Sequence, residues 1–204
     1  MATNRLVLLP LLSVLILSLT ACIGGKTPPP KFYLLEPISS IEYQASAGVG
    51  QNPVVYLKPV RIPHYVDRPQ IVTSTARNAY ELSEFHRWAE SLDHNIGRVL
   101  ARNFGILVPA EVRFSNPPTS DGRTNFRVSV EILEFHADPK RQAGLTAQWR
   151  IARGGDLLVD RQKSYREPAA ISGYPGIVAA LNLCLDRLSS DMASELRNLA
   201  SSNR

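Results

Sequence analysis

Two short runs limit the folds open to this chain. In Phe126 to Ile132, the apolar Phe126, Val128, Val130 and Ile132 alternate with Arg127, Ser129 and Glu131. In Leu145 to Ile151, Leu145, Ala147, Trp149 and Ile151 alternate with Thr146, Gln148 and Arg150 in the same way. A period of two is that of a strand with one buried face, since successive side chains point to opposite sides. Gly154-Gly155 then suits a tight hairpin turn into a third run, Asp156 to Tyr165. The three runs predict an antiparallel meander with one apolar face, and some other element must cover that face.

Two segments supply the cover. Leu92, Ile96, Val99, Leu100 and Phe104 fall on one face of a helix predicted from Ser91 to Phe104. Ser91 is the expected N-cap and Gly105 the expected stop, with Arg98 and Arg102 complementing the C-terminal dipole. Phe85 and Trp88 would carry the stripe back to Glu84, but Ser91 is the preferred start. A second, longer helix runs from about Pro175 to Ala200, with Ile177, Leu181, Cys184, Leu188, Met192, Leu196 and Leu199 three or four residues apart. Shorter strands are expected at Lys31 to Leu35, at Pro53 to Ile62 and at Gln70 to Thr75, and Asn78 to Leu82 pairs back on the last. Pro59 has no N–H to donate, so it marks an edge position or a bulge, and residues 63–69 form a turn. The fold class is therefore α+β: an antiparallel or mixed β-sheet packed against two main helices in a single domain.

The N-terminus is different in kind. Arg5 precedes the apolar stretch Leu6 to Leu19, and small residues Thr20-Ala21 follow it. Its 14 residues fall short of the ~20 that a helix needs to cross a bilayer. Their order is that of an export signal. Leu19-Thr20-Ala21-Cys22 resembles the bacterial lipobox, in which the thiol is alkylated with diacylglycerol and a peptidase then cuts between Ala21 and Cys22. Residues 1–21 read as signal peptide, 22–30 as lipidated cysteine and Pro-rich tether, and 31–204 as the folded domain. The tether holds Pro28-Pro29-Pro30; as polyproline II, residues 23–30 reach ~25 Å. Ile23 follows the anchor where an inner-membrane retention signal would place aspartate, which favours the periplasmic face of the outer membrane.

Little else points to chemistry. The signal takes only Arg5 among the charges, leaving the mature chain one positive charge below the +5 of the whole sequence. Its basic residues are scattered, the densest pair being Lys140-Arg141, so nucleic acid is not an expected partner. The four histidines, His64, His86, His94 and His136, lack the i, i+4 spacing of a zinc helix and are read as surface or capping residues. No nucleophile elbow, phosphate-binding loop or dinucleotide-binding glycine pattern occurs. Cys184 lies on the apolar stripe of the last helix and is read as a small core residue. No catalytic or metal-ligating residue is nominated, and the chain is read as no enzyme.

Several stretches together carry a resemblance: the lipobox, KFYLL at 31–35, VYLKPVRIPHYVDRPQIVT at 55–73, EFHRWAESLDHNIGRVLARNF at 84–104, RVSVEILEFHAD at 127–138, LTAQWRI at 145–151 and Gly173-Tyr174. The chain resembles the PqiC/YmbA family of ABC-transport auxiliary lipoproteins, although Ser91 stands where members often have proline. The resemblance implies a non-catalytic, homo-oligomeric lipoprotein anchored in the outer membrane. It would work with an MCE-domain protein and an inner-membrane permease to move lipid between membranes. Diacylglycerol and an N-acyl chain on Cys22 would be its only attached groups, with no cofactor and no metal. On an exposed turn, Tyr65, Asp67 and Arg68 are candidates for contacting the partner, or else make a structural turn with a local ion pair. Phe32 and Tyr33, next to the tether, are candidates for facing the membrane, or else pack within the first strand. The alternative is a lipoprotein for outer-membrane assembly or peptidoglycan-synthase activation, a role that often needs a longer tether.

Overall fold

The computed structural model describes residues 28–39, 53–108, 110–114 and 125–202. The signal segment, Ala21 and Cys22 lie outside them. Among the described residues, eight strands form one mixed sheet. The meander is its spine: β6 (Asn125–Ala137), β7 (Gln142–Arg153) and β8 (Asp156–Pro168) pair antiparallel in sequence order. Gly154 and Gly155 turn the β7–β8 hairpin at φ 59 and 106, which a residue without Cβ adopts freely.

The other edge of β6 is shared between two groups of strands. Its first residues pair in parallel with β2 (Val54–Leu57), which carries β5 (Glu111–Arg113) on its far side. Its last residue, Ala137, meets Thr73 of β3 (Gln70–Ala76). Beyond β3 come β4 (Ala79–Trp88), antiparallel, and β1 (Lys31–Tyr33), parallel to β4 at the edge. Pro59 marks a bulge: Leu57 stands opposite Val128 and Arg61 opposite Glu131, so the strand carrying Pro59 has one extra residue. The N–H groups of Lys58 and Arg61 still reach the carbonyls of Val128 and Val130, and proline takes the position that needs no donor. β5 pairs only with Val54–Tyr56, so its ladder ends before Pro59.

Two helices cover one face. α1 (Leu92–Leu107) has Ser91 as N-cap and buries Leu92, Ile96, Val99, Leu100 and Phe104. α2 (Gly173–Ser201) buries Ile177, Leu181, Cys184, Leu188, Met192 and Leu196 against β7, β8 and α1. At ~1.5–3 kcal/mol for each large side chain removed from water, α2 is integral to the fold.

Two local expectations are corrected, and the alternative helix start at Glu84 is excluded in favour of the preferred Ser91. Gly105 does not stop α1, which runs on to Leu107 before Val108 turns extended. Glu84 does not begin a helix; residues 84–88 belong to β4, where Trp88 donates its N–H to Pro69 and buries its ring in the core. Leu34 and Leu35 leave the sheet after Tyr33, and the Leu35 backbone pairs with the Asn95 side chain of α1 instead of a strand.

Candidate functional site

The chain enters the domain through exposed Pro28, Pro29 and Pro30 and pairs briefly as β1. It then crosses the helix pair, where its backbone is held by asparagines. Leu35 donates its N–H to Asn95 Oδ1 (2.7 Å), and the same amide donates back to the Leu35 carbonyl (3.2 Å). Glu36 donates to Asn182 Oδ1 (2.7 Å) and Ile38 to Asn103 Oδ1 (2.9 Å). Asn103 in turn donates to Ser189 Oγ (2.9 Å) and Asp186 Oδ1 (3.3 Å), and Asn182 to Asp186 Oδ2 (3.2 Å). Asn95 and Asn103 are buried, a position asparagine occupies only with its amide satisfied. Burial pushes the Asp186 carboxyl above its ordinary value, against the hydrogen bonds from Asn103 and Asn182. The entry point of the chain is thus clamped to both helices.

Beside the clamp lies a shallow cleft of about 490 Å³, lined by Tyr33, Leu34, Pro37, Pro175, Val178 and Leu183 among others. Of the two sequence candidates here, Phe32 is 62% exposed. Tyr33 is half-buried, and its hydroxyl lies 2.7 Å from His86 Nδ1. The His86 ring stacks on Tyr174 at 4.1 Å and 15°. Burial, and then Lys31, hold the imidazole below its ordinary pKa.

The turn at 63–69 puts Tyr65, Asp67 and Arg68 to different uses. The Tyr65 hydroxyl accepts the Phe135 N–H (3.0 Å) and lies 3.0 Å from His136 Nδ1. On the other side of the ring, His136 Nε2 faces Glu134 Oε1 at 3.6 Å. Glu134 also receives Arg166 (2.9 Å) and Thr146 (2.9 Å). Burial pushes the Tyr65 phenol up to about 12. It also pulls His136 down, with Glu134 opposing. For Glu134, burial acts upward, but hydrogen bonds from Arg166 and Thr146 outweigh it and hold the carboxyl below its ordinary value. Tyr65 therefore fastens the turn to β6. Asp67 is exposed, and Arg68 reaches back to the His64 carbonyl at 3.4 Å. Among the described residues no ion pair joins Asp67 to Arg68, so the turn is held by the tyrosine.

Some of these groupings were invisible in the sequence. His64 and His94 are exposed as expected, but His136 is buried and His86 stacked. A polar cleft of about 360 Å³ gathers Lys58, Arg61 and Arg150 with Ser129, Glu131 and Gln148. Only the bulge at Pro59 and the pairing of β6 with β7 bring these positions together. Cys184 is buried, with its thiol pushed up to about 12 by burial, which suits a core residue and not a nucleophile. Among the described residues no group of three or more His, Cys, Asp or Glu is placed to hold a metal.

Comparison with known proteins gives a consistent result. The model of one family, described as an ABC-type transport auxiliary lipoprotein component, matches residues 33–193. The sequence is 23% identical over 189 residues to the intermembrane transport lipoprotein PqiC of Escherichia coli (strain K12), covering 93% of this chain and 97% of the relative. The protein of the same name from Shigella flexneri matches equally. Among solved structures, XCC0632 from Xanthomonas campestris superposes with a TM-score of 0.63 at 12% identity, over 86% of this chain and 98% of that one. An uncharacterized protein superposes at 0.70 with 19% identity, over 83% and 99%. These two likenesses show the shared fold.

Proposed function

The chain belongs to the family of ABC-type transport auxiliary lipoprotein components, and from that premise we propose that it is a non-catalytic subunit of a system moving lipid between the inner and outer membranes. The match to PqiC over nearly the full length of both chains carries this reading. In it, Cys22 bears diacylglycerol and an N-acyl chain, and the protein sits on the periplasmic face of the outer membrane. ATP hydrolysis and the permease belong to inner-membrane components, and an MCE-domain protein spans the gap. The subunit supplies an acyl anchor, a short tether and a rigid docking surface, and it works as a homo-oligomer.

The geometry supports this division of labour. A docking subunit must hold its anchor and its contact surface in a fixed relation, and the asparagine clamp ties the incoming chain to both helices. The Tyr65 turn is fixed to β6 by its hydroxyl, so the exposed Asp67 and the neighbouring Arg68 are presented from a rigid base, where a charged partner segment can dock. Co-purification tests the proposal. The detergent-solubilised lipoprotein is expected to bring down its MCE-domain partner at native expression levels, and repeated failure to do so would refute the transport role.

A further inference from the structure

We propose that the apolar surface beside β1 lies directly on the lipid bilayer, so that the domain rests edge-on through β1 and the N-terminal half of α2. The inference rests on the reading that acyl chains on Cys22 anchor the protein. Phe32, Leu34 and Leu183 are exposed at 62%, 44% and 51%. Phe32 directly precedes Tyr33 and Leu34, both of which line the shallow cleft. Leu34 and Leu183 line the same shallow cleft, together with Pro37, Pro175 and Val178. Apolar side chains facing water around a shallow cleft mark a contact surface.

The short length of chain between Cys22 and β1 points to the bilayer as the occupant. Residues 23–30 span ~25 Å at most as polyproline II, and Phe32 is the second residue beyond them. The clamp at Leu35, Glu36 and Ile38 keeps the patch from swinging away from the tether. The surface closest in sequence to the anchor is therefore apolar and rigidly held. Its border has the composition of a membrane interface: Lys31 is exposed for headgroup phosphates, and Tyr33 and Tyr174 combine an apolar ring with a polar hydroxyl.

Tryptophan placed in the patch tests this. The native Trp88 and Trp149 are 5% and 3% exposed and give a constant background. The acylated full-length mature protein is reconstituted on phosphatidylethanolamine and phosphatidylglycerol vesicles, with or without bromine on the acyl chains. Phe32→Trp and Leu183→Trp are expected to lose emission to brominated lipid and to shift to the blue. Leu157→Trp is the control, at the β7–β8 hairpin near the end of α2 where Arg161 meets Glu195, and it is expected to do neither. Equal quenching at all three sites overturns the proposed orientation. If the protein floats with vesicles but the patch tryptophans are unquenched, the anchor stands and the membrane surface fails. In that case, shielding of the same tryptophans from aqueous acrylamide assigns the patch to a second copy or a protein partner. If the protein does not float, the anchoring reading fails, and the surface with it.

Discussion

Asn103→Ala is the sharpest probe of the clamp. The native side chain is fully buried and makes three hydrogen bonds: it accepts from Ile38 N–H and donates to Ser189 and Asp186. Removal leaves the Ile38 N–H without a partner, at a cost of about 1–3 kcal/mol, and opens a small void. Ser189 keeps its bond to the Leu185 carbonyl. With the void included, a loss of about 3 kcal/mol is expected, which for a domain of this size lowers Tm by roughly 6–12 °C. Asp186 adds a pH dependence. Its folded pKa is already raised, so its contribution to stability is fully present below the unfolded value near 3.8 and is lost as pH rises through the folded value. The Asn103 hydrogen bond limits that rise, and without it the folded pKa moves further up. The stability difference between native and variant protein should therefore be larger at pH 7 than at pH 4. Urea unfolding at the two pH values measures both quantities. A loss below about 1 kcal/mol at pH 7, or a difference that grows toward acid, would refute the reasoning.

Three further outcomes follow from other contacts. Gly176→Ala would place a Cβ 2.0 Å from the Ile171 carbonyl oxygen; because that neighbour is backbone, a loss of about 1–3 kcal/mol is expected in chemical denaturation. Cys184, buried and with a thiol pushed up to about 12, should react with an aromatic disulfide reagent only at the rate of unfolding, so rapid labelling of native protein would contradict its core placement. Glu134 and Asp191 have folded pKa values below their ordinary ones; their stabilisation is present above the unfolded values and is lost as pH falls through the folded ones. Glu134→Gln and Asp191→Asn should each flatten the acid limb of a stability-against-pH curve.

The legible parts of the fold were those governed by a period. The meander, both helices, the Gly154-Gly155 turn and the bulge at Pro59 follow from alternation, the 3.6-residue stripe and missing donors. What the sequence concealed depends on partners far along the chain. Residues 83–88 hold Phe85 and Trp88 at helical spacing, yet β4 continues through them: β1 pairs with 86–88, and β3 regains its pairing at Arg87 after a register shift. Glu111–Arg113 is too short to show a period and becomes β5 only by adding to β2. At the candidate site, Phe32 drew notice from its place beside the tether and is exposed, whereas the clamp gave no local signal. Asn95, Asn103 and Asn182 read as ordinary polar positions on amphipathic helices, and nothing local says that their amides bond the chain at 35–38. The same holds for His136, whose partner Tyr65 lies 71 positions away.

The proposed orientation of the domain and its proposed place in the envelope both depend on an acyl anchor at Cys22. Intact mass spectrometry of the mature protein, with fragmentation of its N-terminal peptide, tests that claim most directly. The account predicts a chain beginning at Cys22 and carrying diacylglycerol and an N-acyl group. An unmodified N-terminus, or a disulfide between Cys22 and Cys184, would contradict it.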